Sequence, residues 1–235
     1  MKRYLPMVVI AIVLIAALAG AAILYRSKQP AEPATPFVAQ TAVPPAATQV
    51  PVATVPTQAP TPAGGPVAVS VLVEEYGDYQ CPPCGVLHPE LKKIESEYGS
   101  RVQFVFRNFP LTRNHKNALA AAQAAEAARL QGKFAKMHDR IYETQDKWKD
   151  LDDPRPVFLQ YAREMGLDVA RFTKDCSGQE VQQRIDRETQ TAMSIGVQGT
   201  PTILIEGQQL RAEVTNPEGI RKGIDLILAR KAAQP

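Results

Sequence analysis

The chain has 235 residues, with 27 basic, 24 acidic and three cysteine residues, a formal net charge of +3 and 45% hydrophobic composition. From Gly65 onward basic and acidic residues balance at 23 each, so the positive excess belongs to the amino-terminal region. That balance excludes a basic domain built for nucleic acid.

Lys2 and Arg3 precede an uncharged run from Tyr4 to Tyr25, about 20 residues and long enough for a helix to cross a bilayer. Residues 1–28 are therefore expected to be a transmembrane anchor or an export signal. The run exceeds the roughly 7–15 apolar residues of a cleavable signal, although Ala17-Leu18-Ala19 offers a small-residue cleavage pattern. Lys2 and Arg3 face Arg26 and Lys28 across the segment, so the basic flanks orient it only weakly. From Gln29 to about Pro66 the chain is Pro, Ala, Thr, Val and Gln with Glu32 as its one charge, and half of the 20 prolines lie there. Such a stretch cannot bury a core, and residues 29–65 read as a semi-extended linker. Residues 66–235 have the length of one domain, without internal repeats.

Val67–Gly77 is β-branched and mostly apolar, the pattern of a strand buried on both faces. Leu87, Leu91, Ile94 and Tyr98 recur at helical spacing until Gly99 ends the helix, and Arg101–Phe109 forms a second strand closed by Pro110. Strand, helix and strand make a βαβ unit with parallel pairing. Asn114 is the expected cap of an Ala-rich helix reaching about Gln131, and Phe134, Met137 and Ile141 mark a further apolar stripe. Three more helices are expected at Val157–Met165, Asp168–Cys176 and Gln179–Ile195, making a helical insertion over about 114–195. Sheet returns at Pro201–Gly207, with a short strand at Gln209–Glu213 and a closing helix at Pro217–Lys231. The fold class is α/β, a sheet carrying a helical insertion.

The segment Asp78–Leu91, "DYQCPPCGVLHPEL", holds two of the three cysteines, Cys81 and Cys84. Zinc needs about four ligands and this pair supplies two, while His88, His115, His138 and Cys176 are scattered, so no metal is expected. A structural disulfide at this spacing closes almost no loop and constrains the unfolded chain little. The redox reading has physics in its favour. Pro82 suits the first helical position, where its missing N–H is no loss, which makes Cys81 the N-cap. Its sulfur then faces the free N–H groups and the positive end of the helix dipole, conditions that lower a thiol pKa and supply the thiolate that exchange requires. Cys84, one turn in, is placed to resolve a mixed disulfide. On this reading the nucleophile is exposed and the resolver buried. Cys176, in line with Val169 and Phe172, is expected to be a buried core thiol, His115 and His138 to serve surface or packing, and Trp148 with Tyr142 to close the insertion's core.

"VEEYGDYQCPPC", "FRNFPL", "QGKFAKMHDRIYETQDKW" and "GVQGTPTILIEGQ" together resemble the DsbA-like thiol–disulfide oxidoreductases of the thioredoxin fold, over about Val67 to Leu228. The resemblance implies a thioredoxin-like fold whose insertion separates a βαβ half from a ββα half. It implies that Pro201 is a cis-proline packed against the cysteines, with Thr200 offering backbone to an extended substrate. It implies that Glu75 lies under the pair and accepts the proton of Cys84, and that Pro89 kinks the helix. The expected cofactor is none beyond the Cys81–Cys84 disulfide itself. Reduced exported proteins are the expected substrates. The expected re-oxidant is a quinone-linked membrane enzyme of the DsbB or VKOR type. The domain then sits on the exocytoplasmic side of the cell membrane, held by a single-pass anchor. A reductase or isomerase, for instance in cytochrome maturation, shares the fold. A non-catalytic anchored peptide-binding scaffold is the reading outside enzymes. Two features depart from the family pattern: the linker meets Val67 directly, without a preceding strand, and Pro83 stands where relatives supply an N–H or a cation.

Overall fold

A computed structural model describes residues 70–233 of the chain. The expected anchor, the linker and the start of the first strand at Val67 lie outside the described residues. Among the described residues, no helix is long and apolar enough to cross a membrane.

Four strands form one sheet in the order β2-β1-β3-β4: β1 Val71–Gly77, β2 Val102–Asn108, β3 Thr202–Ile205 and β4 Gln208–Gln209. β2 runs parallel to β1, as the βαβ reading requires, while β3 is antiparallel to β1 and β4 to β3. The connection from β1 to β2 is α1, Pro82–Tyr98, which ends at Gly99 with φ 54°. That left-handed backbone suits glycine because no Cβ meets the following carbonyl. The period-2 alternation of β1 sends Val71, Val73 and Glu75 to one face and Tyr76 to the other. Val71 and Val73 pack with Leu87, Leu91 and Ile94 of α1 and with Ile220 and Ile224 of the last helix, α8 at Pro217–Ala232. Tyr76 packs on the opposite side with Leu204, Ala192 and Val197.

Between β2 and β3 lie six helices: α2 Ala118–Arg129, α3 Phe134–Glu143, α4 Gln145–Trp148, α5 Arg155–Glu164, α6 Val169–Cys176 and α7 Gln179–Ser194. Their core surrounds the alanines of α2, whose small side chains let neighbouring helices approach, with Trp148, Phe158 and Phe172 as the large fillers. Trp148 donates its indole N–H to the carbonyl of Ile141 at 2.8 Å and meets Phe158 edge-on. Tyr142 joins the same core but turns its ring onto His88 of α1.

Three expectations need correction. The Ala-rich helix begins at Ala118, with Asn117 and not Asn114 as its cap residue. The segment before it is pinned elsewhere, because His115 bonds Asp78 at 2.7 Å and the Asn117 amide donates to Gln80 Oε1 at 2.7 Å. The strand expected at Gln209–Glu213 shrinks to Gln208–Gln209, followed by a 3-10 turn at Ala212–Val214. There the chain must swing into α8, whose cap Asn216 accepts from the Gly219 amide at 3.0 Å. Cys176 is half-buried, because α6 is anchored by Phe172 and leaves its last turn lining an apolar cavity of about 260 Å³.

Candidate redox site

The sheet delivers the cysteines through a short, tightly tied turn. Gly77 ends β1 against the Phe106 ring, into which a Cβ would run. Asp78, 1% exposed, then uses its carboxylate to accept from the amides of Gln80 at 2.7 Å and Leu111 at 2.8 Å and to bond His115. From the insertion, Gln145 donates its amide to the carbonyls of Tyr79 at 2.7 Å and Cys81 at 3.1 Å. With Asp78 on one side and Gln145 on the other, the turn has little freedom.

Cys81 is the N-cap of α1, with extended backbone at φ −67° and ψ 120°, and Pro82 takes the first helical position. Cys84 is wholly inaccessible and Cys81 is only 4% exposed, so the expected open nucleophile is instead a recessed one. As a thiol, Cys81 Sγ donates to the carbonyl of Thr200 at 3.3 Å, and the Thr200–Pro201 peptide bond is cis. The loop before β3 thus brings Thr200 to Cys81, and Pro201 lines a groove with Pro82 and Pro83.

Electrostatics divide the two thiols. The Cys81 thiol is pulled down to about 6, first by the hydrogen bond from the Cys84 thiol, against the cost of burial, and then by the Thr200 side chain and the Cys84 amide. The sulfur closes no regular cap hydrogen bond with the first turn, so the neighbouring thiol contributes more than the helix-end account anticipated. Cys84 is pushed well above the usual thiol range, by burial and then by its bond to Cys81 and the nearby Glu75. Glu75, 5% exposed, is raised to about 8 by burial and by the Cys81 charge, and its Oε1 has no hydrogen-bond partner. At neutral pH the site therefore holds a thiolate at Cys81, a thiol at Cys84 and a protonated carboxyl at Glu75. Cys176 is pushed up to about 12 by burial and takes no part.

An apolar groove of about 660 Å³ runs beside the pair, between Pro82, Pro83, Val86 and Leu87 of α1 and Pro201 and Pro217. Val86 is 75% exposed there, an apolar side chain left uncovered by the described residues. Sequence reasoning missed Asp78, Tyr79 and Gln145 as builders of the site. Only the one-residue gap between Asp78 and Gln80, an Asx-turn spacing, hinted at Asp78.

A sequence model of the thioredoxin family, described as "Thioredoxin", matches residues 57–226. Among curated relatives, a Na(+)/H(+) antiporter NhaA 3 of Salinispora tropica is 37% identical over 145 residues, which are 62% of this chain and 21% of that protein. The chain thus spans about a fifth of the length of the curated relatives it matches. Among solved structures, a thioredoxin-like oxidoreductase from Silicibacter pomeroyi DSS-3 superposes with a TM-score of 0.57 at 28% identity, covering 71% of this chain and 90% of that one. The oxidoreductase DsbA from Xylella fastidiosa superposes with a TM-score of 0.59 at 21% identity, covering 72% and 90%.

Proposed function

The chain belongs to the thioredoxin family, and we propose that within it this protein is a thiol–disulfide oxidoreductase of the DsbA-like kind, working as a disulfide oxidase. One observation carries the reading: Cys81 has its thiol lowered to about 6, first by the hydrogen bond from the Cys84 thiol, while Cys84 beside it is buried and held protonated. A scaffold has no use for so unequal a pair.

In the proposed reaction a substrate thiolate attacks Cys81 Sγ of the Cys81–Cys84 disulfide, forming a mixed disulfide and expelling Cys84 as thiolate. Glu75, protonated up to about pH 8, supplies the proton that Cys84 takes. A second substrate thiolate then attacks the substrate sulfur of the mixed disulfide and expels Cys81, which leaves as the favoured thiolate. The substrate loses two electrons and becomes a disulfide; the cysteine pair gains them. The groove along Val86 and Pro201 receives an extended, apolar stretch of the substrate, paired with the backbone at Thr200. A quinone-linked membrane enzyme of the DsbB or VKOR type restores the disulfide, and the run from Tyr4 to Tyr25 keeps the domain at the exocytoplasmic face of that membrane, among newly exported proteins.

The oxidase direction is favoured over reductase because stabilising the Cys81 thiolate stabilises the reduced form, which makes the disulfide a stronger oxidant. The ion transport in the relative's name belongs to a protein of which the matched stretch makes up 21%; the chemistry proposed for this chain at Cys81 and Cys84 is exchange. Equilibration with glutathione should place the couple well above the roughly −270 mV of thioredoxin. A potential at or below that value overturns the oxidase reading in favour of a reductase, and no exchange at all leaves only the scaffold.

A further inference from the structure

A second cavity, of about 240 Å³, lies on Glu75 and is lined among others by His88, Lys92, Glu95, His138 and Asp139. His88 sits on α1 and His138 and Asp139 on α3, so two packed helices hold the three side chains. One donor atom from each of His88, His138 and Asp139 lies within 4.8 Å of the others. His88 is 4% exposed, and its Nε2 is buried without a hydrogen-bond partner, facing Asp139 Oδ1 at 3.3 Å. His138 is oriented through Nδ1 by the Tyr79 hydroxyl at 2.8 Å.

We propose that His88, His138 and Asp139 form a binding site for one divalent transition-metal ion of the zinc class, with water from the cavity completing the coordination. Borderline ions of this kind take imidazole nitrogen with carboxylate oxygen. Bonds of about 2.0–2.2 Å set tetrahedral donors roughly 3.3–3.5 Å apart. The His88–Asp139 separation already equals that edge, and His138 has to close by about 1.5 Å, within the reach of a side-chain rotation. Tyr79 fills the role of the outer partner that fixes a ligating ring. An orphaned buried nitrogen also calls for a partner on physical grounds, and a cation supplies one. Lys92 opposes the ion, since its ammonium pairs with the other oxygen of Asp139. Its side chain is 46% exposed, however, and can swing into water when a dication takes its place. Occupancy ties the helix that carries the cysteines to the insertion, so it should raise the unfolding temperature by mass action.

The test uses full-length untagged protein with Cys81–Cys84 oxidised and Cys176→Ser, so that no thiol competes for metal. Titration with Co²⁺, then displacement by Zn²⁺, should show one saturable site per chain with the visible bands of a four-coordinate ion. Unfolding temperature should rise with Zn²⁺. His88→Gln and His138→Ala should abolish both signals. Lys92→Ala, a surface change, should bind about two- to fivefold tighter, the range set by losing one competing ion pair. No saturable binding in either the parent or Lys92→Ala overturns the proposal, as does binding that survives His88→Gln. None of these readouts depends on exchange activity.

Discussion

Among the described residues Glu75 is a carboxyl without an ion pair: its register partner across the parallel pair is Phe106, and its Oε1 is unpartnered. Raised from 4.5 to about 8, it binds its proton more tightly folded than unfolded. Its contribution to stability is therefore complete below pH 4.5 and is lost as pH rises towards 8, where the folded protein must bury a charge. Glu75→Gln lacks that loss, so the variant should match the parent near pH 4 and exceed it near pH 9 by up to about 5 kcal/mol, at about 1.4 kcal/mol per pKa unit. Urea unfolding of the reduced protein, the state in which Cys81 carries its charge, at the two pH values measures this, and a constant difference across the range would refute it. The same variant should slow the steps in which Cys84 gains or loses its proton and spare the attack by reduced Cys81 on a disulfide. At Cys81 the dominant influence is the Cys84 thiol. Cys84→Ala should therefore raise the Cys81 pKa well above 6 while trapping substrate as mixed disulfides, both visible by thiolate absorbance and non-reducing electrophoresis. A Cys81 pKa that stays near 6 would return the credit to the helix end.

At the scale of the element, α1 shows what a local pattern can and cannot disclose. Its start at Pro82, its buried stripe and its stop at Gly99 were legible because each depends on residues within a turn or two. Other features depend on distant partners. Asn117 was hidden as the start of α2 because its side chain serves the carbonyls of Trp148, Lys149 and Leu151. The β3–β4 hairpin turns on Glu206 at φ 51° and Gly207 at φ 73°. Glutamate is a poor choice for that left-handed position, and it is held there because its carboxylate accepts from the Leu72 amide at 2.9 Å and from Lys231 at 2.8 Å. The meeting of His88 with His138 had no sequence signal, since it arises from the packing of α1 on α3. The site residues Cys81, Cys84, Thr200 and Pro201 could be placed from motif alone, their electrostatics could not. Pro82 and Pro83 leave the first turn of α1 short of N–H groups. Pro83→His restores one and adds a charge when protonated, in an exposed position. It should lower the Cys81 pKa by up to about one unit and shift the glutathione equilibrium towards reduction. An unchanged pKa would show that the first-turn amides do not act on this sulfur.

Across the molecule the sheet and the helical insertion are joined by a buried polar knot as well as by the alanine face of α2. Asn108, ending β2, donates its side-chain amide to Glu126 of α2 at 2.8 Å and to Glu188 of α7 at 2.7 Å, and its own backbone amide also donates to Glu188. Arg184 pairs with Glu126 at 2.8 Å and with Glu188 at 3.2 Å, and Arg129 pairs with Glu126 at 2.7 Å. Glu126 is 1% exposed within a run of alanines, where a lone acid reads as a solvent-facing residue; its true surroundings come from three elements far apart in sequence. A buried carboxylate so fully satisfied is costly to remove, because its partners are left unpaired in a dry setting. Full burial of those partners would put the cost at about 3–5 kcal/mol, and since Arg129 and Arg184 are each more than a quarter exposed, the lower figure applies. Glu126→Ala should thus lose about 3 kcal/mol in urea unfolding, with the Cys81 pKa unmoved, since Glu126 is absent from the groups that set that pKa. Pairing Glu126→Leu with Arg184→Met should recover most of that loss, because replacing both partners by apolar groups of similar volume removes the orphaned charge. A single variant that costs less than about 1 kcal/mol would mean that alanine packing alone holds the insertion to the sheet, and that the knot specifies the register of α2 on β2 without stabilising it.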